Sequence, residues 1–158
     1  MRMNDQVDDR DESSSEFQPR DIHGDFLQII IGGEVVLVKS AEVKEVSRVY
    51  PLTSVPMGPN HLLGLANIRG QIICVIDLSK ISALPSINRN VTTRSRLVML
   101  RHPSMNIGIW ADEVRLTQHL NAEEITLPEG GQETSGLVIE VDYQNQKQHM
   151  LNCKKLFH

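Results

Sequence analysis

The sequence predicts an all-β fold, and three observations carry that prediction. Short apolar runs rich in Ile and Val recur along the chain, separated by Gly, Pro and Asn turn signals. Aromatic residues make up only 4% of the chain, so the core has to be built from Ile, Val and Leu, which suit strands. The pair Gly32-Gly33 sits between two such runs, where glycine supplies the positive φ of a tight hairpin.

At 158 residues the chain is about one domain, long enough to bury a core without a disulfide or metal staple. Charge divides it. Residues 1–25 hold eight acidic and three basic side chains, a net of −5; the formal −4 of the whole leaves +1 for residues 26–158. With few apolar side chains to offset the entropy of ordering, residues 1–24 are expected to be a disordered acidic N-terminal tail, and residues 25–158 the folded unit. That unit is near neutral and has no Lys/Arg run, which argues against nucleic acid as a partner. No apolar run approaches the roughly 20 residues needed to span a bilayer, and the N-terminus lacks a secretory pattern. The expected location is cytoplasmic, without direct membrane insertion. Cys74 and Cys153 lie in or beside apolar runs and read as small buried hydrophobes rather than a disulfide.

The elements follow in order. Phe26 to Ile31 and Val35 to Val38 form the first hairpin. Val43, Val46 and Val49 recur at every third position, which reads as a helical turn or irregular corner with Glu42, Lys44, Glu45 and Arg48 outside. Pro51, Pro56 and Pro59 mark a connecting loop, after which Asn60 could cap a short helix over His61 to Leu65. Ile72 to Ile76 are five apolar residues in a row and read as a strand buried on both faces. Asp77 to Leu84, stopped by Pro85, reads as a short helix with Asp77 or Ser79 as cap, and Ser86 to Arg94 as a polar, mobile loop.

Leu97 to Leu100 and Ile107 to Ala111 flank a turn at His102 to Asn106, and Asp112 to Leu116 continues as a strand. Asn121 to Ser135 is a loop. Leu137 to Val141 and His149 to Leu151 give a last hairpin across the polar segment 142–147, and Asn152 caps a terminal helical turn over Lys154 to Phe157.

Catalytic chemistry finds little to work with. No two of the six histidines share the i, i+4 spacing of a helical metal pair, and Cys-x-x-Cys, Gly-x-Ser-x-Gly, phosphate-loop and dinucleotide motifs are missing. Asp77 and Asp112 each follow an apolar strand and could form an acid/base pair of a hydrolase, although capping and strand-end roles are commoner for such residues. A β-barrel binding a small ligand or an oligonucleotide is another alternative; it would need stacked aromatics beside basic residues, and the aromatics are scarce. No cofactor is implied.

The most informative stretch runs from Gly64 through Asn67-Ile68-Arg69-Gly70 into the apolar strand that ends at Asp77-Leu78. Arginine is rarely buried without a partner, and Gly70 lets the chain bend so that Arg69 projects from a corner. Those residues resemble the signature of the CheW family, the adaptors of bacterial chemosensory arrays. Pro56 and Pro59, the Val43, Glu45 and Val46 pattern, and Ile107 to Val114 match that family in order and spacing, over about Asp25 to Phe157. Cys74 stands where the family often has Pro and Asn152 where it usually has Asp, departures that tilt toward a divergent, type IV pilus or twitching-type member.

The resemblance implies two small five-stranded SH3-like β-barrels with a few short helices, and no catalysis. It implies as partners the regulatory domain of a CheA-type histidine kinase and the cytoplasmic tip of a chemoreceptor, with assembly into arrays or rings. It also implies an exposed ion pair between Glu45 and Arg69, with Gly70 at the same corner and Val43, Val46 and Ile68 lining a receptor groove.

Overall fold

The computed structural model describes residues 22–126 and 136–156. Within them the chain forms strands β1 (Gly24–Ile31), β2 (Glu34–Lys39), β3 (Val43–Arg48), β4 (Leu62–Ile68), β5 (Gln71–Ile76), β6 (Arg96–Leu100), β7 (Ile107–Ala111), β8 (Glu113–Leu120), β9 (Ile125–Thr126), β10 (Val138–Tyr143) and β11 (Gln146–Leu151). Helical structure includes 3-10 turns at Ser40–Glu42, Leu78–Lys80 and Ala122–Glu124 and a four-residue helix α1 (Cys153–Leu156). The strands make two sheets, one ordered β8-β1-β2-β11-β10-β9 and the other β3-β6-β7-β5-β4. The all-β expectation holds; the first sheet carries a sixth strand, the two-residue β9, beyond the five expected.

Two cores explain the apolar runs of β1 and β2. Ile29, Ile31, Val36 and Val38 point into a core shared with the five-stranded sheet, where they meet Val75, Leu97 and Ile109. Phe26 and Leu37 point the other way and pack with Ile139, Val141 and Met150. A sheet apolar on both faces leaves no polar alternation in its central strands. Their hairpin turns through Gly32 (φ 61) and Gly33 (φ 89), the two positive values a two-residue turn needs.

Several local expectations are corrected. Val43 to Val49 is not a helical turn: β3 pairs antiparallel with β6, and a bulge between Val43 and Glu45 places both Val43 and Val46 opposite same-face residues, Leu100 and Val98. The three-residue spacing is that of a bulged strand. His61 to Leu65 is not a helix either; β4 pairs with β5, again through a bulge, between Leu62 and Gly64. The helix after Asp77 shrinks to the turn Leu78–Lys80, with the Asp77 carboxylate accepting from Ser79 N at 2.9 Å.

The segment 86–94 is not the free loop its polarity suggests. Ile87 is buried and Asn88 N donates to Asp112 Oδ1 at 2.9 Å. In the last hairpin the strands extend through most of 142–147 and turn at Gln144 and Asn145 (φ 53 and 63). Asn152, fully buried, precedes α1 as expected, its carbonyl accepting from Lys155 N at 3.0 Å; its side-chain Nδ2 donates to Gly136 O at 3.4 Å. The expected loop from Asn121 to Ser135 instead begins with the turn Ala122–Glu124 and β9; its residues 127–135, the expected acidic tail up to Asp21, and Phe157 lie outside the described residues.

Both cysteines are free, Cys74 half-buried and Cys153 buried. Burial pushes the Cys153 thiol up to about 12, with Glu42 adding to the shift.

Candidate functional site

The Asn67 to Gly70 corner is the two-residue turn of the β4–β5 hairpin, where Ile68 pairs with Gln71. Gly70 (φ 86) adopts a left-handed conformation at no steric cost, whereas Arg69 (φ 52) adopts one that a side chain disfavours. Asn67 Oδ1 stabilises the turn by accepting from Gly70 N at 3.0 Å. The hairpin tip therefore holds Arg69 in a fixed place.

Arg69 Nη2 donates to Glu45 Oε1. Glu45 lies on β3 and Arg69 at the end of β4, the two outer strands of the five-stranded sheet, so the ion pair bridges its open edges. Arg69 remains 63% exposed and Glu45 31%. The hydrogen bond to Glu45, and then its charge, raise the already high pKa of the guanidinium.

Around this pair Val46 is 38% exposed and Gly70 is exposed, while Val43 is half-buried against the shared core. Ile68 departs from the expectation. It is 2% exposed and belongs to the core, so it supports the corner from beneath and does not line a surface groove.

One apolar surface escaped the sequence reading. Ile72 is 52% exposed, and with Pro59, Leu62, Cys74, Met105 and Ile107 it lines an open groove of about 440 Å³. The run Ile72 to Ile76 is thus not buried on both faces: Ile73 and Val75 enter the core, and Ile72 and Cys74 look into the groove. Period-two alternation is present, but apolar residues fill both phases and hide it.

The two carboxylates of the paired-acid reading are engaged in structural hydrogen bonds. Asp77 Oδ1 accepts from Ser79 N and Oγ, while Asp112 accepts from Gly32 N and Asn88 N, each at 2.9 Å, so the two groups brace different backbone segments. Among the described residues no cluster of His, Cys, Asp or Glu is placed to hold a metal ion, and no helix is long and apolar enough to cross a membrane.

Comparison with known proteins agrees with this architecture. The chemotaxis protein CheW of Helicobacter pylori is 27% identical over 125 residues, covering 77% of this chain and 73% of that protein. The chemotaxis protein CheW of Bacillus subtilis is 27% identical over 112 residues, covering 70% of each. Among solved structures, the scaffolding protein TtCheW from Thermoanaerobacter tengcongensis superposes with a TM-score of 0.68 at 20% identity, over 82% of this chain and 88% of that one, a likeness of fold. The family model for the CheW-like domain matches residues 25–157, from the first residues of β1 to the end of α1 and just beyond, and the chain belongs to that family.

Proposed function

We propose that the protein is a non-catalytic chemosensory adaptor that couples chemoreceptors to a CheA-type histidine kinase in the cytoplasm. Residues 25–158 act as one docking unit, which an acidic stretch of sequence precedes. The observation that carries this reading is the Glu45–Arg69 pair: two opposite charges, held by a rigid hairpin tip and an edge strand, displayed beside exposed Val46. Such a pair adds little to stability but orients a docking partner. Its relatives are named chemotaxis and scaffolding proteins, and the two candidate catalytic carboxylates, Asp77 and Asp112, are occupied with structural hydrogen bonds.

The test is retention of the kinase regulatory domain and of a receptor tip on immobilised wild-type and Arg69→Glu protein, each after a thermal melt. Loss of either partner with an unchanged melt supports the reading. Partner binding intact in a chain with a collapsed melting temperature overturns it.

Assignment to a type IV pilus pathway is the second reading, favoured by Cys74. Its N–H donates to Asn106 O at 2.9 Å, a bond that the proline usual in the family could not make. Neighbouring genes for pilus proteins, as against flagellar receptors and methylation enzymes, decide between the two.

A further inference from the structure

Five arginines gather around the end of β3, the start of β6 and the start of β8. Arg48 on β3 stands directly opposite Arg96 on β6, a like-charge cross-strand pair in which the Arg96 guanidinium donates to Thr93 O and Ser95 O, each at 2.8 Å. Arg48 also lies over the Tyr50 ring, 5.6 Å from its centroid. Tyr50 lines a surface cleft of about 340 Å³ whose other walls include Arg89, Val91 and Trp110. Nearby, the single Glu113 carboxylate serves two guanidiniums, Arg94 at 3.7 Å and Arg115 at 3.3 Å. Asp112, next in chain, has its carboxylate turned to Gly32 N and Asn88 N. The patch therefore carries five positive charges against the two carboxylates of Asp112 and Glu113, with Glu34 at the adjacent hairpin turn.

The cleft adds a second observation. Trp110 is 4% exposed, and its indole Nε1 is buried without a hydrogen-bond acceptor. A buried donor in that state is costly.

This same chain contains the complementary charge. Asp5, Asp8, Asp9, Asp11 and Glu12 fall within eight residues that include one arginine, Arg10. Reach is sufficient. The tail joins the fold at Ile22 and Gly24, where Gly24 pairs with Leu120; the arginine end of β8 lies where Glu113 pairs with Ile30, about 20 Å further along β1. Ten residues separate Glu12 from Ile22, and ten extended residues span about 33 Å.

We infer that the acidic segment Asp5 to Glu12 docks in cis on the arginine surface formed by Arg48, Arg89, Arg94, Arg96 and Arg115, covering the Tyr50–Trp110 cleft. The contact is electrostatic and salt-sensitive, and it withdraws a basic surface from other anionic partners until competition or ionic strength releases it. It is independent of the adaptor reading, since it needs neither kinase nor receptor.

The experiment places a nitroxide label on the full-length chain through Ser13→Cys in a Cys74→Ala background and reads backbone amide intensities by NMR. At about 20 mM salt the amides of Arg48 and of Arg89 to Arg96 should lose more than about half their intensity relative to the reduced label, and regain it at about 500 mM salt. The same chain with Asp5, Asp8, Asp9 and Asp11→Asn and Glu12→Gln should show no loss at either salt. Full intensities in the labelled wild-type tail at low salt overturn the inference, as does an equal loss in the neutralised tail. If a separate acidic peptide perturbs these arginines and the tethered segment does not, the surface takes an acidic partner protein, and docking in cis is likewise overturned.

Discussion

Glu45 and Arg69 join the two outer strands of the five-stranded sheet, although 24 residues separate them in sequence. The bond lies in solvent, and Arg69 sits in a backbone conformation that a side chain disfavours. Arg69→Gly should therefore keep or slightly raise the melting temperature while removing the charge. Ile68→Ala, one residue away but in the core, should lose about 2 to 4 kcal/mol in urea unfolding. Equal destabilisation by the two substitutions would contradict the division into surface and core.

The two glycines of the first hairpin should respond very differently to a methyl group. A Cβ on Gly32 would lie 2.3 Å from the Pro85 carbonyl oxygen, whereas one on Gly33 meets nothing within 4 Å. Gly33→Ala should cost about 1 kcal/mol for its left-handed backbone alone. Gly32→Ala adds a collision with main chain and should cost about 3 kcal/mol or more, visible as a much lower urea midpoint.

Asp112 ties together the first hairpin, the loop before β6 and the crossing from β7 to β8. Its carboxylate accepts from Gly32 N and Asn88 N, and its own N–H donates to Ile30 O at 2.9 Å. Asp112→Ala should cost about 2 to 4 kcal/mol, since two backbone donors lose a charged acceptor. Amide exchange should quicken most at Gly32 and Asn88. Asp112→Asn, which keeps one acceptor oxygen, should fall between the alanine variant and wild type.

The cysteines should differ in reactivity. A thiol reagent at neutral pH should modify half-buried Cys74 and leave Cys153 untouched until denaturant is added. Because folding raises the Cys153 pKa from 9.0 to about 12, its neutral form is favoured in the native state. That contribution is complete below pH 9 and is lost as pH rises from 9 toward 12, where the unfolded chain gains by ionising. Over this window wild type should lose stability more steeply than Cys153→Ala, measured by urea unfolding at each pH.

Turn chemistry was the most legible part of the sequence. Gly32-Gly33, the Arg69-Gly70 corner and the Asp77 cap are local arrangements, fixed by backbone rules that neighbouring residues reveal. The two strands misread as helical share one feature. In β3 and β4 a bulge inserts an extra residue, so Val43 and Val46 reach the same face at a spacing of three, which imitates a helix. The anchoring of segment 86–94 was invisible because it depends on Asp112, distant in sequence and polar in type. Of the candidate site, the ionic pair came from resemblance to a family; that Ile68 would point inward and Ile72 outward required the pairing register, since an unbroken apolar run fits either phase.

The hydrophobic layers on either side of β1 and β2 have a mechanical consequence. Neither half of the molecule owns a complete interior, because Ile29 and Val36 fill one and Phe26 and Leu37 the other. These two strands act as a party wall, and removing it would leave both rooms open. A force applied at the hairpin tip thus meets no seam along which to dissipate, and it moves the far sheet as part of one stiff object.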